Sequence, residues 1–148
     1  MSVQDFIAKR QAALTDAFNQ GSLDHLLEFY VDKDLDFSDC GNLTLHMDKS
    51  RLREFFVGMH KTCGDMKTTT VSVSGTQEFT AWEWNIEFNA VGLMPDHNDG
   101  KKTFAVSNAD GRRVKMIGIS ATWWNAENKI VKNKDYGKVV PSFEGLDR

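Results

Sequence analysis

Two aspartates lie in runs that are otherwise rich in apolar residues: Asp39 in Leu35-Asp-Phe-Ser-Asp-Cys40, and Asp135 in Ile130-Val-Lys-Asn-Lys-Asp-Tyr136. Burial disfavours the charged form of a carboxyl group and raises its pKa, which makes it a stronger base once ionised and lets it exchange protons near neutral pH. Either aspartate could remove a proton from carbon next to a carbonyl. Asn133, Ser120, Thr122 or a tryptophan indole N–H would then hold the developing enolate oxygen. Isomerisation, aldol cyclisation and dehydration all pass through such an enolate, and none of them needs a metal or a cofactor. Each aspartate also has a plainer reading. Asp39 precedes Cys40-Gly41 and reads equally well as a turn residue folded onto its own backbone. Asp135 alternates with Lys132 and Lys134, a pattern shared with a solvated edge strand.

The remaining reactive side chains form no ligand set. His25, His46, His60 and His97 show no metal-binding spacing, and only His46 lies between segments expected near a pocket mouth. Cys40 and Cys63 are too few for a disulfide framework or a zinc site and read as free thiols. Asp96 to Asp99 lacks the ligand pattern of a calcium loop.

The elements that must position the two acids follow from periodicity. Val114 to Tyr136 reads as two antiparallel strands joined by Asn125-Ala126-Glu127-Asn128, with Asn128 in the left-handed conformation of a short hairpin loop. A period of two puts Met116, Gly118, Ser120, Thr122 and Trp124 on one face of the first strand, and Val131, Asn133, Asp135 and Gly137 on one face of the second. Before this hairpin, helical spacing runs from Val3 to Gln20 with Leu14 and Phe18 on the buried side. Gly21 ends that helix and Ser22 caps a short one reaching about Tyr30. Leu35 to Cys40 alternates as a strand. Asp48 caps a third helix that Gly64-Asp65 closes. From Thr68 the period changes to strands, with Trp82, Trp84, Ile86 and Phe88 sharing one face. The tryptophans read first as core and interface. Trp82 and Trp84, with Leu14, Phe18 and Met116, are the candidates for an apolar pocket wall.

At 148 residues, 41% hydrophobic and 26% charged, with a net charge of −3, the chain reads as one domain over 1–148 with 141–148 a surface tail. It has no basic surplus for nucleic acid or an anionic membrane, no apolar run of membrane-spanning length and no signal-peptide pattern, which predicts a cytoplasmic protein. Gly92–Arg113 is long for a loop and carries three glycines and several apolar residues, as a lid would. A long strand with Glu83, Asn85 and Glu87 on one side, near Ile117 and Ile119, predicts a homodimer.

Helices first and strands after predict an α+β fold, a curved antiparallel sheet wrapped around three N-terminal helices. The stretches A-F-N-Q-G-S-L-D-H-L-L-E-F-Y, F-S-D-C-G, M-D-K-S-R-L-R-E-F-F, D-G-R-R-V-K-M-I-G-I-S and N-K-I-V-K-N-K-D-Y, in that order, resemble the SnoaL-like branch of the nuclear transport factor 2-like superfamily, which includes ketosteroid isomerase, scytalone dehydratase and limonene epoxide hydrolase. The resemblance implies a cone-shaped α+β barrel with a pocket between the concave sheet and the helices. It places Asp39 where ketosteroid isomerase keeps its aspartate base, and Asp135 near the catalytic aspartate of SnoaL-type cyclases. It also marks departures, since Leu14 and Ser120 stand where ketosteroid isomerase has its oxyanion donors, and Ser120-Ala121-Thr122 replaces the cyclases' penultimate-strand histidine.

The expectation is a cofactor-independent isomerase, cyclase or dehydratase acting on a hydrophobic carbonyl compound of polyketide or terpenoid type. Asp135 and Asp39 are the catalytic candidates. Asn133, Ser120, Thr122, Trp82, Trp84, Phe18, Leu14, Met116 and His46 are the substrate contacts. The alternative is a non-catalytic small-molecule binder or interaction module, which the same fold hosts.

Overall fold

The computed structural model describes residues 1–92 and 110–146. Two helices, α1 (Val3–Gln20) and α2 (Leu23–Leu27), precede strands β1 (Asp36–Asp39) and β2 (Thr44–Met47), and helix α3 (Lys49–Thr62) then leads into β3 (Cys63–Gly75), β4 (Phe79–Ala90), β5 (Arg113–Trp124) and β6 (Ile130–Val140). The strands form one sheet in the order β2-β1-β6-β5-β4-β3. No described helix is long and apolar enough to cross a membrane.

Local chemistry accounts for the boundaries. Ser2 and Asp5 form a capping box at the start of α1, and Gly21 takes φ +70° just past its end, where a side chain would be strained. Ser22 and Asp48 accept the backbone N–H groups of His25 and Arg51 to open α2 and α3. The hairpin loop between β5 and β6 closes with Asn128 at φ +59°, as its sequence predicts. The β3 edge is covered by α1: the Asn19 side chain donates to the Thr68 carbonyl at 2.8 Å and accepts its N–H at 2.7 Å. This satisfies backbone groups that an open edge would leave for other chains.

Three expectations need correction, and one strand went unread. Gly64-Asp65 does not close α3, because the chain passes straight from Thr62 into β3, and both residues lie within that strand. α2 stops at Leu27, and Tyr30 instead bridges to Ile130. Thr44–Met47, unread in the sequence, is a strand antiparallel to β1. The sheet is also not purely antiparallel. β1 runs parallel to β6, with Phe37 beside Asn133 and Asp39 beside Asp135. The lid expectation for Gly92–Arg113 rests mainly on residues 93–109, which lie outside the described residues, and Arg113 already begins β5. Pro141–Leu146 forms no helix or strand and is largely exposed.

Alternation sends Trp82, Trp84 and Phe88 of β4, Ser120 and Thr122 of β5, and Asn133 and Asp135 of β6 toward the helices. There Tyr30, Phe37 and Phe56 pack edge-on or tilted, with ring centroids 5.8 to 6.1 Å apart. Each inward indole finds a hydroxyl at 2.9 Å, Trp82 on Thr70, Trp84 on Ser120 and Trp124 on Thr80, so none buries an unmatched donor. Room for the Trp84 ring comes from a pair of glycines. Gly118 and Gly137 face each other across β5 and β6, and a Cβ on Gly118 would sit 2.2 Å from the indole.

Candidate functional site

Between the inward sheet face and the helices lies a cavity of about 370 Å³. Most of its wall is apolar, from Leu14 and Phe18 of α1, Phe55, Phe56 and Met59 of α3, and Trp82, Trp84, Ile86, Phe88 and Met116 of the sheet. The polar groups concentrate at one end, where β1, β6 and β5 bring Asp39, Asp135, Asn133 and Ser120 together. A mostly apolar cavity of this size with a few convergent polar groups is the form small-molecule sites take.

The register explains the convergence. Ser120 pairs with Asp135 across β5 and β6, and Asp135 pairs with Asp39 across β6 and β1, so the three lie in one row on the same sheet face. Adjacent strands are about 4.8 Å apart, so the two carboxyl groups are close neighbours. Ser120 Oγ donates to Asp135 Oδ1 at 2.6 Å and Asn133 Nδ2 donates to the same oxygen at 2.6 Å. Both donors are themselves oriented: Trp84 Nε1 donates to Ser120 Oγ at 2.9 Å, and Thr122 Oγ1 donates to Asn133 Oδ1 at 2.7 Å. The network fixes one carboxylate oxygen and leaves Oδ2 without a hydrogen-bond partner among the described residues.

Burial pushes the Asp135 carboxyl up to about 7, and the neighbouring Asp39 charge adds to the rise, while the bonds from Ser120 and Asn133 oppose it. Asp39 is raised as well, chiefly by burial, against the backbone N–H groups of Asn42 and Gly41 that it accepts, the first at 3.1 Å. Asp39 thus closes a turn on its own backbone and also borders the cavity. The sign of the linkage follows. Between the ordinary carboxyl value near 4 and about 7, folded Asp135 binds more protons than unfolded Asp135, so stability falls as pH rises through that window and levels off above it. Urea unfolding at pH 4.5, 6 and 8 should show this decline. Asp135→Asn should flatten it and exceed the wild type at pH 8 by about 1–3 kcal/mol. A wild-type stability that climbs with pH across the window, with Asp135→Asn changing nothing, would contradict the assignment.

Of the residues picked from sequence, Asp39, Asp135, Asn133, Ser120, Trp82, Trp84, Phe18, Leu14 and Met116 all border the cavity. Two do not. Thr122 is buried behind Asn133, its hydroxyl committed to that amide. His46 adopts φ +54° in β2 and turns outward, where its ring pairs with Asp36 at 2.9 Å and stays 73% exposed. The expected oxyanion donors also point at protein acceptors: Ser120, both cavity indoles and one of the two amide N–H groups of Asn133. Tyr30 and Phe37 were not among the expected contacts but border the cavity. Tyr30 was hidden because the pattern around it reads as a continuation of α2. Among the described residues, no group of three or more His, Cys, Asp or Glu side chains is placed to hold a metal ion.

No protein-family model matches the chain. Its sequence is 31% identical over 130 residues to the cyclase AurE of Calcarisporium arbuscula, covering 86% of this chain and 81% of that one. The chain belongs to the SnoaL-like family, within the nuclear transport factor 2-like superfamily. Solved SnoaL-like structures agree in fold. A SnoaL-like polyketide cyclase from Agrobacterium tumefaciens superposes with a TM-score of 0.68 at 15% identity, covering 93% of each chain. SalBIII, an epoxide hydrolase/cyclase-like enzyme of pyran ring formation in the polyether salinomycin, gives 0.65 at 15% identity over 88% of this chain and 92% of its own. An NTF2-like protein from Exiguobacterium gives 0.65 at 16% identity, over 87% of this chain and 98% of that one. The SnoaL-like fold of the chain thus has cyclases among its relatives.

Proposed function

We propose that the protein is a cofactor-independent acid/base enzyme of the cyclase and isomerase type, acting on a hydrophobic carbonyl intermediate with Asp135 as general base. The observation that carries this reading is Asp135 itself. It sits at the polar end of an apolar cavity, with one oxygen held by two donors, the other left open, and a pKa pushed up to about 7. A base of that strength is half-ionised near neutrality, where proton transfer to and from carbon is best served by one group. Asp39 supports it by raising the basicity of its neighbour. In the forward step, Asp135 Oδ2 takes the α-proton, the C–H electron pair moves into the new C=C bond of the enolate, and the carbonyl oxygen gains the charge. Reprotonation at another carbon gives isomerisation, attack of the enolate on a second carbonyl gives ring closure, and loss of a β-hydroxyl gives dehydration. The named cyclase relative supports ring closure, and a polyketide-type chain is the substrate class we propose, in line with the polyketide cyclase among the structural neighbours.

The test needs no knowledge of the natural substrate. A hydrophobic methyl ketone incubated in D₂O should exchange its α-protons for deuterium at an enzyme-dependent rate that rises with pH through about 7 and then levels, followed by proton NMR. Exchange no faster than in buffer across a panel of aryl and alkyl ketones that bind the cavity would leave the protein as a small-molecule binder.

The cytoplasmic setting and the homodimer belong to the same proposal. On the outward sheet face, β4 carries Glu83 and Glu87, β5 carries Ile117 and Ile119, and β6 carries Lys132 and Lys134, with Ile119 and Tyr136 exposed at 45% and 48%. A two-fold axis parallel to β5 would lay the acidic stripe of one copy over the basic stripe of the other, with the isoleucines between them. Light scattering at micromolar concentration should give twice 16.7 kDa, and Ile119→Glu should reduce it to the monomer mass. A wild-type mass of one chain would remove the dimer.

A further inference from the structure

The donors that sequence reading assigned to a substrate oxygen are committed to protein acceptors, which raises the question of what is left to hold that oxygen. Among the polar groups bordering the cavity, Ser120 donates to Asp135, Asn133 commits one of its two amide N–H groups to the same acid, Trp84 donates to Ser120 and Trp82 to Thr70. The Cys63 thiol pairs with the Thr62 hydroxyl. The Thr68 hydroxyl is sealed inside the wall. Lys138 lies at the exposed margin. Among the described hydroxyl, thiol and indole groups one donor is left unpaired and facing the cavity, the phenol of Tyr30. The residue is 2% exposed, borders the cavity, and its hydroxyl has no hydrogen bond among the described residues.

Its ring is rigidly placed. Phe37 and Phe56 pack against it at 5.8 and 6.1 Å, its backbone bridges to Ile130 at the start of β6, and Lys49 Nζ donates to its carbonyl at 3.0 Å. The phenol lies within the field of Asp135 yet is not bonded to it, and burial together with that charge keeps it protonated well above the ordinary tyrosine range. It is therefore a donor at any physiological pH. A preorganised donor costs no rearrangement when charge develops on its partner, which is the condition under which hydrogen bonds accelerate reactions most.

We infer that the Tyr30 hydroxyl donates to the substrate's carbonyl oxygen, and that the cavity accepts a neutral ketone carrying an α-hydrogen rather than a carboxylate-bearing compound. The inference rests on the acid/base reading above and adds its missing electrophilic partner. Asp135 removes the α-proton while the O–H of Tyr30 stays on tyrosine and shares its hydrogen with the enolate oxygen. No proton is lost from the phenol, and reprotonation by Asp135 restores both groups. The preference for a neutral ligand follows from two carboxyl groups at the same end, with no enclosed cation beside them among the described residues to offset the charge of an acid.

The probe is 2-acetylnaphthalene, whose oxygen can only accept, compared with 2-isopropylnaphthalene, which lacks the oxygen. Binding to wild type, Tyr30→Phe and Asp135→Asn is measured by titration, and the carbonyl stretch of the bound ketone by infrared difference spectroscopy, at pH 5 and pH 9. The expected result is a stretch lowered from its value in hexane, equally at both pH values, in wild type and Asp135→Asn. In Tyr30→Phe the lowering should vanish, and the ketone should lose roughly five- to fifteenfold in affinity while the hydrocarbon keeps its own. Hydrocarbon binding reports whether the variant is folded, and the infrared measurement on wild type needs no variant. The inference is overturned by a wild type that does not lower the stretch, or by a Tyr30→Phe protein that keeps the ketone preference. A lowering lost between pH 5 and pH 9 and absent in Asp135→Asn would also overturn it, because the donor would then be protonated Asp135. Failure of the general-base reading looks different: the Tyr30-dependent shift persists while α-proton exchange is absent.

Discussion

Asp135→Asn should lower turnover by roughly a hundred- to ten-thousandfold with ligand affinity little changed, because it removes the base while keeping the side chain's shape. The asparagine carbonyl can still accept from Ser120 and Asn133, so the network that orients residue 135 survives. What disappears is the capacity to hold a proton at Oδ2. The variant should also be no less stable than wild type above pH 7, which separates a lost base from a damaged fold. Asp39→Asn acts through the first acid. It removes a charge that raises the Asp135 pKa, so the pH profile of exchange should move to lower pH even where its plateau falls less. If the acids work as a unit, the double variant loses less than the product of the two single losses. An Asp135→Asn protein with full activity would exclude that residue from the mechanism, and the same result at Asp39 would leave only the binding role.

Gly118→Ala is expected to be the most damaging substitution outside the acid pair. A Cβ there would lie 2.2 Å from two atoms of the Trp84 indole and 2.6 Å from the Tyr136 carbonyl, so both a packed ring and a strand backbone would have to move. Overpacking of this kind costs about 1–3 kcal/mol and at times more. The functional effect should exceed the stability effect, because a displaced Trp84 also withdraws the indole N–H that orients Ser120 toward Asp135. Chemical denaturation would read the first effect. Loss of exchange activity at a temperature where the variant remains folded would read the second. A Gly118→Ala protein as stable and active as wild type would show that the ring has room to shift.

How much of this was legible in the sequence depended on the range of the interactions. The alternation in Val114–Trp124 and Ile130–Val140 orients Ser120, Asn133 and Asp135 correctly, because strand period is a local property and one hairpin holds all three. Serine, aspartate and asparagine caps marked the helix starts for the same reason. The parallel pairing of β1 with β6 joins distant parts of the chain and leaves no local trace, so the resemblance marked Asp39 and Asp135 separately while their adjacency went unread. His46 was misplaced because its positive φ interrupts the alternation of β2, which the letters L-H-M do not reveal. Tyr30 was missed because its helical spacing with Leu26 and Leu27 is real, yet the backbone leaves the helix before reaching it. The donors were misjudged for a different reason. Residue types show that Ser120 or Trp84 can donate, but only coordinates show that they already do.

The parallel pairing of β1 with β6 also bears on how the protein comes to be active. β3 to β6 form by successive neighbouring strands, whereas β1, beside its hairpin partner β2, finds its second neighbour only in β6, the last of the described strands. Contacts of such sequence separation carry a large loop-closure cost and form late in folding. During synthesis the β1–β2 hairpin therefore leaves the ribosome long before β6, with its edge unpaired and Phe37 lacking its strand neighbour. The two carboxyl groups meet only when this seam closes, so the polar end of the cavity is assembled late.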